Sequence, residues 1–371
     1  MILQTNLLLL FLSFFISGFI YPFLINILYK YQFREKVREF GPKTHFAKIG
    51  TPTMGGIGFF IVTLTINILL NFSLSQTFLI LFIFTLGALL GLLEDILKAY
   101  SRSKLRSDIR IEVYDIFSKT KQTWVVYRYL LVPWNLFREF VRIIGSNGSN
   151  SGVILKSHYK FTLHLFIGAI IAFWSYYKLG WESMNVPFYG ELHMGILYPI
   201  FICLFFVFTL NAVAITDGID GLLTGITLLI IPIYWIIAIQ LEYFGVSNFL
   251  AVFTGALIVY LYFNIYPARV FMGDVGSYTI AAAFFMVPFI MRVEFLIVIS
   301  HLLCLFDGGI SGMAQQFSVR FRKKKIFKMA PIHHHFEVLG WPETKVTMRF
   351  WIIQLVLSFS ALLCFFYLKI I

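Results

Sequence analysis

The chain has 371 residues, of which 59% are hydrophobic and 13% are charged, and its formal net charge is +12. Soluble globular domains are about half apolar and about a quarter charged, so this composition excludes an ordinary soluble domain and predicts a polytopic membrane protein. A positive excess in such proteins lies mostly in cytoplasmic loops beside anionic lipid, and it can also attract an anionic substrate. The 3 cysteines lie in apolar runs without redox or metal spacing, so we expect no disulfide.

Ten segments are long and apolar enough to span a bilayer as helices, which takes roughly 20 residues each. No basic stretch precedes the first segment, which is therefore predicted to be a span rather than a cleavable signal peptide. We expect an all-α integral membrane fold in which residues 1–371 form one domain, with 99–157 as an insertion between spans three and four. The predicted spans are 6–29, 56–72, 77–95, 160–178, 193–213, 221–240, 248–266, 277–292, 294–317 and 348–368.

The loops between the predicted spans alternate in charge. Basic residues concentrate on one side, in residues 30–48, 98–160 and 320–328, whereas the loops of the other side carry mainly glutamates. The positive-inside rule places the basic side in the cytoplasm. With ten spans, both termini are then expected outside.

The polar motifs of the chain all fall at the cytoplasmic ends of the predicted spans. Polar side chains are costly in a membrane-embedded chain and are usually functional there. Several such motifs on one face therefore indicate a catalytic site rather than scattered structural residues. The motifs are Lys43–Gly56, Glu94–Lys98, Asn211–Gly221, Asn264–Ser277 and Met329–Glu337, the last with three consecutive histidines.

Acidic side chains in these motifs offer oxygen ligands or bases. Mg²⁺ prefers one or two carboxylates together with substrate phosphates and water. Asp274 lies in a glycine-rich stretch, where the backbone can approach a phosphate closely. A single Asp-Gly pair is more often a simple turn, but several acidic positions on one face favour a metal-dependent site. The acidic residues are Glu94, Asp95, Asp217, Asp220 and Asp274.

Cations and one aromatic ring complete this set. Lys48, Lys98 and the histidines at 333–335 supply positive charge or proton donors for phosphate oxygens. Phe271 offers a ring for stacking on a planar base, although most phenylalanines of this chain are expected in the core. Together these groups indicate phosphoryl transfer from an anionic cytosolic donor to an amphiphilic phosphate in the bilayer.

Two other site types and one other protein class fit less well. No Walker loop sequence occurs, and zinc is disfavoured because adjacent histidines rarely share a helical face and no H-E-x-x-H motif is present. A transporter of polyprenyl-linked or anionic cargo remains the alternative. It would need polar groups along a midplane pathway, whereas the charged motifs here lie at the ends of nearly uniformly apolar spans.

Five motifs resemble, in the same order, those of the phospho-N-acetylmuramoyl-pentapeptide transferase family, within the polyprenyl-phosphate N-acetylhexosamine-1-phosphate transferases. The resemblance runs from about residue 30 to the C-terminus, apart from 99–157. It implies ten transmembrane helices in the bacterial inner membrane, a cytoplasmic active site and a homodimer. The motifs are Gly50–Gly56 (GTPTMGG), Thr216–Leu222 (TDGIDGL), Val270–Ser277 (VFMGDVGS), Ala330–Glu337 (APIHHHFE) and Gly340–Ile353 (GWPETKVTMRFWII).

The resemblance also implies a reaction and its partners. UDP-N-acetylmuramoyl-pentapeptide and undecaprenyl phosphate would give lipid I and UMP, with Mg²⁺ as cofactor and no nucleic-acid partner. A relative that transfers N-acetylglucosamine phosphate to the same lipid is the runner-up within this superfamily. The consecutive histidines and the GWPETKV stretch favour the muramoyl-pentapeptide enzyme.

Individual roles follow from the same resemblance. Asp274 resembles the family's magnesium-binding aspartate, with Asp217 as a second metal ligand, and Phe271 resembles the residue that stacks on uracil. One carboxylate of the Glu94-Asp95 pair is implied as the base that deprotonates the lipid phosphate. The catalytic candidates are Glu94, Asp95, Lys98, Asp217, Asp274 and His333. The substrate-binding candidates are Lys48, Thr53, Asn211, Asp220, Asn264, Phe271, His334 and His335.

The chain departs from the family pattern in three places. Glu94 stands where the family usually has an aspartate, and Ala214 stands where it usually has a second asparagine. The long stretch 99–157 replaces a short link that carries a lysine, for which Lys156 or Lys160 is the candidate substitute. Within this stretch, Trp134–Ile144 has apolar residues at three- and four-residue spacing and is predicted as an interfacial amphipathic helix; the alternative is an insertion without a role.

Overall fold

The computed structural model describes residues 2–31, 50–73, 76–100, 157–186 and 189–367. Lys48 and Lys156 lie outside these ranges. So do the predicted helix Trp134–Ile144 and nearly all of the insertion 99–157, and the predictions made for them stay predictions.

The described chain is built almost entirely from helices. One short hairpin departs from the all-helical prediction: β1 (Ser183–Val186) pairs antiparallel with β2 (Gly190–His193). The long helices are α1 (Ile2–Lys30), α2 (Gly56–Leu70), α3 (Phe78–Tyr100), α4 (Ser157–Leu179), α5 (Leu197–Thr216), α6 (Leu222–Gln240), α7 (Phe244–Asn264) and α8 (Gly273–Ile290). They are followed by α9 (Leu296–Ser300), α10 (Leu302–Cys304), a π-helical turn (Leu305–Ile310), α11 (Ser311–Arg322), α12 (Ile332–Val338) and α13 (Glu343–Tyr367).

Eight of the described helices, α1, α3 to α8 and α13, are long and apolar enough to cross a membrane. This result confirms a polytopic, mostly helical membrane protein but not the predicted count of ten spans. Helix α2 has 15 residues, so it is about 22 Å long, which is shorter than the bilayer hydrocarbon core of about 30 Å.

The predicted ninth span, 294–317, is divided into α9, α10, the π-helical turn and α11. The break between α9 and α10 is at His301, with φ −107° and ψ 6°, and the π-helical turn lies where two glycines pack against α5. A Cβ at Gly308 would overlap the carbonyl of Ala212, and a Cβ at Gly309 would press on the Phe208 ring. Hydropathy records the apolar character of these residues but not this close backbone approach, so the sequence pattern predicted one continuous helix.

Helix α8 lies at the centre of the fold. Every residue of α8 from Val275 to Phe289 is buried, and the helix contacts α2, α3, α5 and α6. Glycines allow the closest of these contacts, because a Cβ at Gly87 or Gly91 of α3 would overlap the backbone of Tyr278 or Asp274. Small residues at helix interfaces let backbones approach in this way in membrane proteins.

We predict that Gly91→Ala displaces α3 from α8. The added methyl group would overlap the backbone of Asp274, so the variant should unfold at lower temperature, by about 1–3 kcal/mol of lost stability, and lose turnover. Gly18→Ala is the matched control, because a Cβ at Gly18 would meet no described atom within 4 Å. Thermal unfolding in detergent measures both, and a Gly91→Ala protein as stable as the control would contradict the packing argument.

Candidate active site

Three carboxylates and two lysines meet where α3, α4 and α8 come together. Asp274 forms a short ion pair with Lys98, and its Oδ2 lies 4.0 Å from Lys160 Nζ. Lys98 Nζ is also 3.8 Å from Asp95 Oδ1. Lys160 Nζ is 2.5 Å from Glu94 Oε2. The three carboxylates therefore share two ammonium groups.

Exposure in this carboxylate–lysine cluster differs between its acidic and basic members. The side chains of Glu94 and Asp95 are each 4% exposed and that of Asp274 is 17% exposed. Those of Lys160 and Lys98 are 32% and 47% exposed. An incoming anion therefore meets the ammonium groups first, which suits a phosphate ligand.

Asp95 has a second role at the beginning of α8. Its Oδ2 accepts a hydrogen bond of 3.0 Å from the backbone N–H of Val275. The first N–H groups of a helix lack partners within the helix, and a negative charge there is favourable. Gly273, with φ +75°, turns the chain into α8 in a conformation that favours glycine. A carboxylate from α3 thus caps the helix that carries Asp274.

Two glycine-rich motifs that are distant in sequence form one structural unit. The backbone N–H of Phe271 donates to the carbonyl of Pro52, and the N–H of Gly55 donates to the carbonyl of Phe271, both at 2.8 Å. Phe271 and Thr53 are half-buried at this junction. The structure thus places Thr53 and Phe271, two candidate substrate-binding residues, on hydrogen-bonded segments that lead into α2 and α8.

Asp220 and Asn264 are buried and hold loops together. Asp220 Oδ2 accepts from the backbone N–H of Ala268 at 2.9 Å, and its own N–H donates to Glu343 at 2.6 Å. Asn264 Oδ1 accepts from the N–H of Gly221 at 3.2 Å. Both predicted substrate-binding side chains thus connect the loop after α5 to the loop between α7 and α8. Asp217 lies half-buried at the end of α5, in the first of these loops.

The three histidines of α12 occupy different environments. His333 is fully buried. The backbone N–H of His333 donates to Asp307 of the π-helical turn at 2.9 Å, and Nδ1 of His333 lies 2.7 Å from the same carboxylate. His334 Nδ1 lies 2.6 Å from Glu337, and His335 Nδ1 accepts from the N–H of Lys328 at 3.0 Å. Only His333 of the three is completely enclosed.

His333 packs directly on the loop that carries Asp217. A Cβ at Gly218 would overlap the His333 imidazole, so only glycine allows this approach. His333 Nε2 is buried and has no hydrogen-bond partner among the described residues. The structure therefore brings the predicted catalytic histidine against the Asp-Gly turn, with an unpaired ring nitrogen at the contact.

Comparison with known proteins gives the family. Residues 153–292 match the model of Glycosyl transferase family 4. The chain is 32% identical over 352 residues to a phospho-N-acetylmuramoyl-pentapeptide-transferase of Clostridium perfringens, across 94% of this chain and 95% of the relative. It is 30% identical over 345 residues to that of Clostridium acetobutylicum, across 92% and 93% of the two chains. The chain belongs to the phospho-N-acetylmuramoyl-pentapeptide transferase family.

Two members of the carboxylate–lysine cluster can now be compared with the residues that the family usually has at the same positions. Of the two lysines proposed to replace the family's lysine after span three, Lys160 lies in the cluster, whereas Lys156 is outside the described residues. Glu94, longer by one methylene than the family's usual aspartate, reaches this lysine on α4. Two of the three departures from the family pattern, Glu94 and the candidate substitute Lys160, therefore meet in one ion pair.

The residues present also fit the magnesium ion that the family implies. Within the described ranges, no three His, Cys, Asp or Glu side chains are grouped as a metal site. Mg²⁺ is usually bound by one or two carboxylates, with phosphate oxygens and water completing its six ligands. The partly exposed Asp274 is such a carboxylate, so the arrangement suits an ion that is shared with a phosphorylated substrate.

Asp307 lies outside the motifs that predict the site. A signal for it exists in the sequence, since it is an acidic residue inside an apolar segment predicted to span, and such residues are functional candidates by default. Its partner His333 could not be identified in this way, because their contact joins elements 26 positions apart.

We predict that Asp307→Leu destabilises the protein by about 1–3 kcal/mol, because it leaves the buried N–H and imidazole of His333 without an acceptor. Asp307→Asn retains an acceptor oxygen and should cost less. Thermal unfolding of both purified variants in detergent tests this order. Equal stability of the leucine variant and the wild-type protein would show that the Asp307–His333 contact is not needed for folding.

Proposed function

We propose that this protein transfers phospho-N-acetylmuramoyl-pentapeptide from its UDP-linked donor to undecaprenyl phosphate, giving lipid I and UMP. Identity of 32% across 94% of the chain and 95% of a relative of that name carries the proposal. The carboxylate–lysine cluster supports it, because its exposed ammonium groups suit phosphate substrates. A polyprenyl-linked cargo transporter would instead use polar groups along a midplane path.

The geometry suggests how this chain's own residues serve the reaction. An oxygen of the lipid phosphate forms a bond to the sugar-bearing phosphorus of the donor, and the bond from that phosphorus to the UMP oxygen breaks. Phosphoryl transfer depends mainly on positioning and on stabilising negative charge. Lys98 and Lys160 would bind the phosphates, and a neighbouring carboxylate, Glu94 or Asp95, would take the proton of the lipid phosphate.

We also propose Mg²⁺ as the cofactor, held by Asp274 and, following the family pattern, by Asp217. When bound, it would neutralise negative charge on the donor diphosphate. The nearby ammonium groups would share this task. We propose Mg²⁺ rather than zinc because adjacent histidines rarely share a helical face and the sequence has no H-E-x-x-H motif.

The membrane orientation belongs to the same proposal. A soluble nucleotide donor requires a site that faces the cytoplasm, and the basic loops lie at that end by the positive-inside rule. An even number of spans would leave both termini outside, in the bacterial inner membrane. A homodimer follows from the family resemblance alone.

The decisive assay uses purified protein, labelled UDP-N-acetylmuramoyl-pentapeptide, undecaprenyl phosphate and Mg²⁺, with lipid I as the scored product. We expect lipid I and UMP in equal amounts. UDP-N-acetylglucosamine serves as the competing donor, and preferential use of it would favour the related N-acetylglucosamine-phosphate transferase. Movement of lipid-linked cargo without any transfer product would favour the transporter.

Replacement of Asp274 tests the proposed metal ligand. Asp274→Asn should lower kcat by about 100-fold or more, since charge stabilisation by a bound metal is worth several kcal/mol. Glu242→Gln is the matched carboxylate control, because Glu242 is exposed in the loop between α6 and α7. Near-normal turnover of a folded Asp274→Asn protein would remove Asp274 from the metal site.

Metal removal tests the choice of ion separately. Treatment with EDTA should abolish turnover and added Mg²⁺ should restore it, whereas a zinc-selective chelator should have no effect. Stoichiometric zinc in the active purified protein would contradict this assignment.

A further inference from the structure

His164 of α4 is a buried histidine that no motif assigns. Its side chain is fully buried, and both ring nitrogens lie within hydrogen-bond distance of candidate site residues. Nε2 is 3.0 Å from Glu94 Oε1, and Nδ1 is 3.1 Å from Asn211 Nδ2. His164 therefore bridges α3 and α5 at the level of the carboxylate–lysine cluster.

The partners of His164 determine where its proton lies. Asn211 Nδ2 also lies 2.7 Å from the carbonyl oxygen of Val207. A carbonyl oxygen can only accept a hydrogen bond, so the Asn211 atom beside it must be the amide nitrogen, which is a donor. Asn211 then donates to His164 Nδ1, and the neutral ring carries its proton on Nε2 and donates it to Glu94.

Glu94 is consequently held at both carboxylate oxygens. Oε1 accepts from His164 and from the hydroxyl of Tyr278, each at 3.0 Å, while Oε2 pairs with Lys160. The Tyr278 ring packs edge-on to His164, with centroids 5.2 Å apart, and Lys160 Nζ lies 5.3 Å from its centre. These contacts give the glutamate one orientation.

The orientation of Glu94 sets the position of Lys160. A glutamate has more rotamers to restrict than an aspartate, and ordering long side chains costs up to about 2 kcal/mol each. Lys160 is one-third exposed and lies 4.0 Å from Asp274 Oδ2. Charged groups act most effectively on a reacting phosphate when neighbouring side chains already hold them in place.

We propose that His164 is a positioning residue of the transfer reaction. With Asn211 it orients the Glu94 carboxylate, and Glu94 in turn holds the Lys160 ammonium where a substrate phosphate binds beside Asp274. His164 itself touches no substrate and acts through Glu94. The inference rests on the proposed function and adds to it a residue that lies outside the motifs that define the site.

Two substitutions of similar size separate hydrogen bonding from packing. His164→Met fills the space but neither donates nor accepts usefully, whereas the amide of His164→Gln can donate to Glu94 and accept from Asn211. We expect the methionine variant to lose about tenfold or more in kcat/KM, the effect of one charge-assisted hydrogen bond. The glutamine variant should recover most of this loss.

Varying each substrate in turn identifies the phosphate that Lys160 binds. A higher KM for undecaprenyl phosphate in His164→Met would place Lys160 at the acceptor phosphate, and a higher KM for the nucleotide donor would place it at the diphosphate. Both results support the proposal. Equal values of kcat/KM for the methionine and glutamine variants, with both substrates, would overturn it.

A double-mutant cycle tests whether His164 acts through Lys160. In a Lys160→Met background, His164→Met should cause little further loss of kcat/KM, because the group that it positions is already absent. Independent effects would instead multiply, and a full additional tenfold loss would overturn the proposal.

Controls keep the result interpretable. His301→Met replaces another fully buried histidine, which bonds to Ser300, and should lower thermal stability without the substrate-specific change. If His164→Met does not fold, Tyr278→Phe removes the other donor to Glu94 Oε1 and should raise the KM for one of the two substrates; unchanged KM values for both substrates would overturn the proposal. Inactive, folded wild-type protein would refute the proposed function and this role with it, whereas active wild-type protein with matching variants refutes the role alone.

Discussion

The close contact between α3 and α8 is the constraint on which the candidate site depends. Gly87 and Gly91 bring the two backbones together, and this contact sets the Glu94-Asp95 pair beside Asp274. Three carboxylates at such short range repel one another and would be costly to bury alone. Lys98 and Lys160 offset this repulsion through their ion pairs with the carboxylates. The close packing of the three carboxylates is thus accompanied by two ammonium groups that can bind a phosphate.

Each buried charge in this cluster has partners that satisfy it. Asp95 caps α8, and Glu94 accepts from two side chains and pairs with a third. Removing one partner of a buried ion pair is strongly destabilising, whereas the complete pair contributes little net stability. The network is therefore better understood as a device for orienting side chains than as a source of stability. Its members come from α3, α4, α5 and α8, so it also sets how these helices pack around the site.

Hydropathy and motif spacing predicted much of this arrangement, and three of the misses have a related cause, whereas the short helix α2 and the β1–β2 hairpin are separate departures. The length of the apolar runs was sufficient to predict most spans, because long apolar runs have few alternatives to a helix in a membrane. The segment 294–317 is not one regular helix: it breaks at His301 and forms a π-helical turn where Gly308 meets the backbone of α5, and residue-by-residue hydropathy encodes neither feature. His164 and Asp307 escaped for a related reason: their importance lies in partners on other helices. Spacing along one chain segment cannot reveal such partners.

The departures from the family pattern are connected through this network. Glu94 is longer than the usual aspartate, and its added reach is used by Lys160 and His164. Asn211 and Ala214 are three residues apart on α5, hence on one face of the helix, and this face carries one amide where the family usually has two. The remaining amide, that of Asn211, contacts His164 through its Nδ2. Asn211 and Glu94, which belong to separate sequence motifs, therefore lie in one hydrogen-bond network through His164.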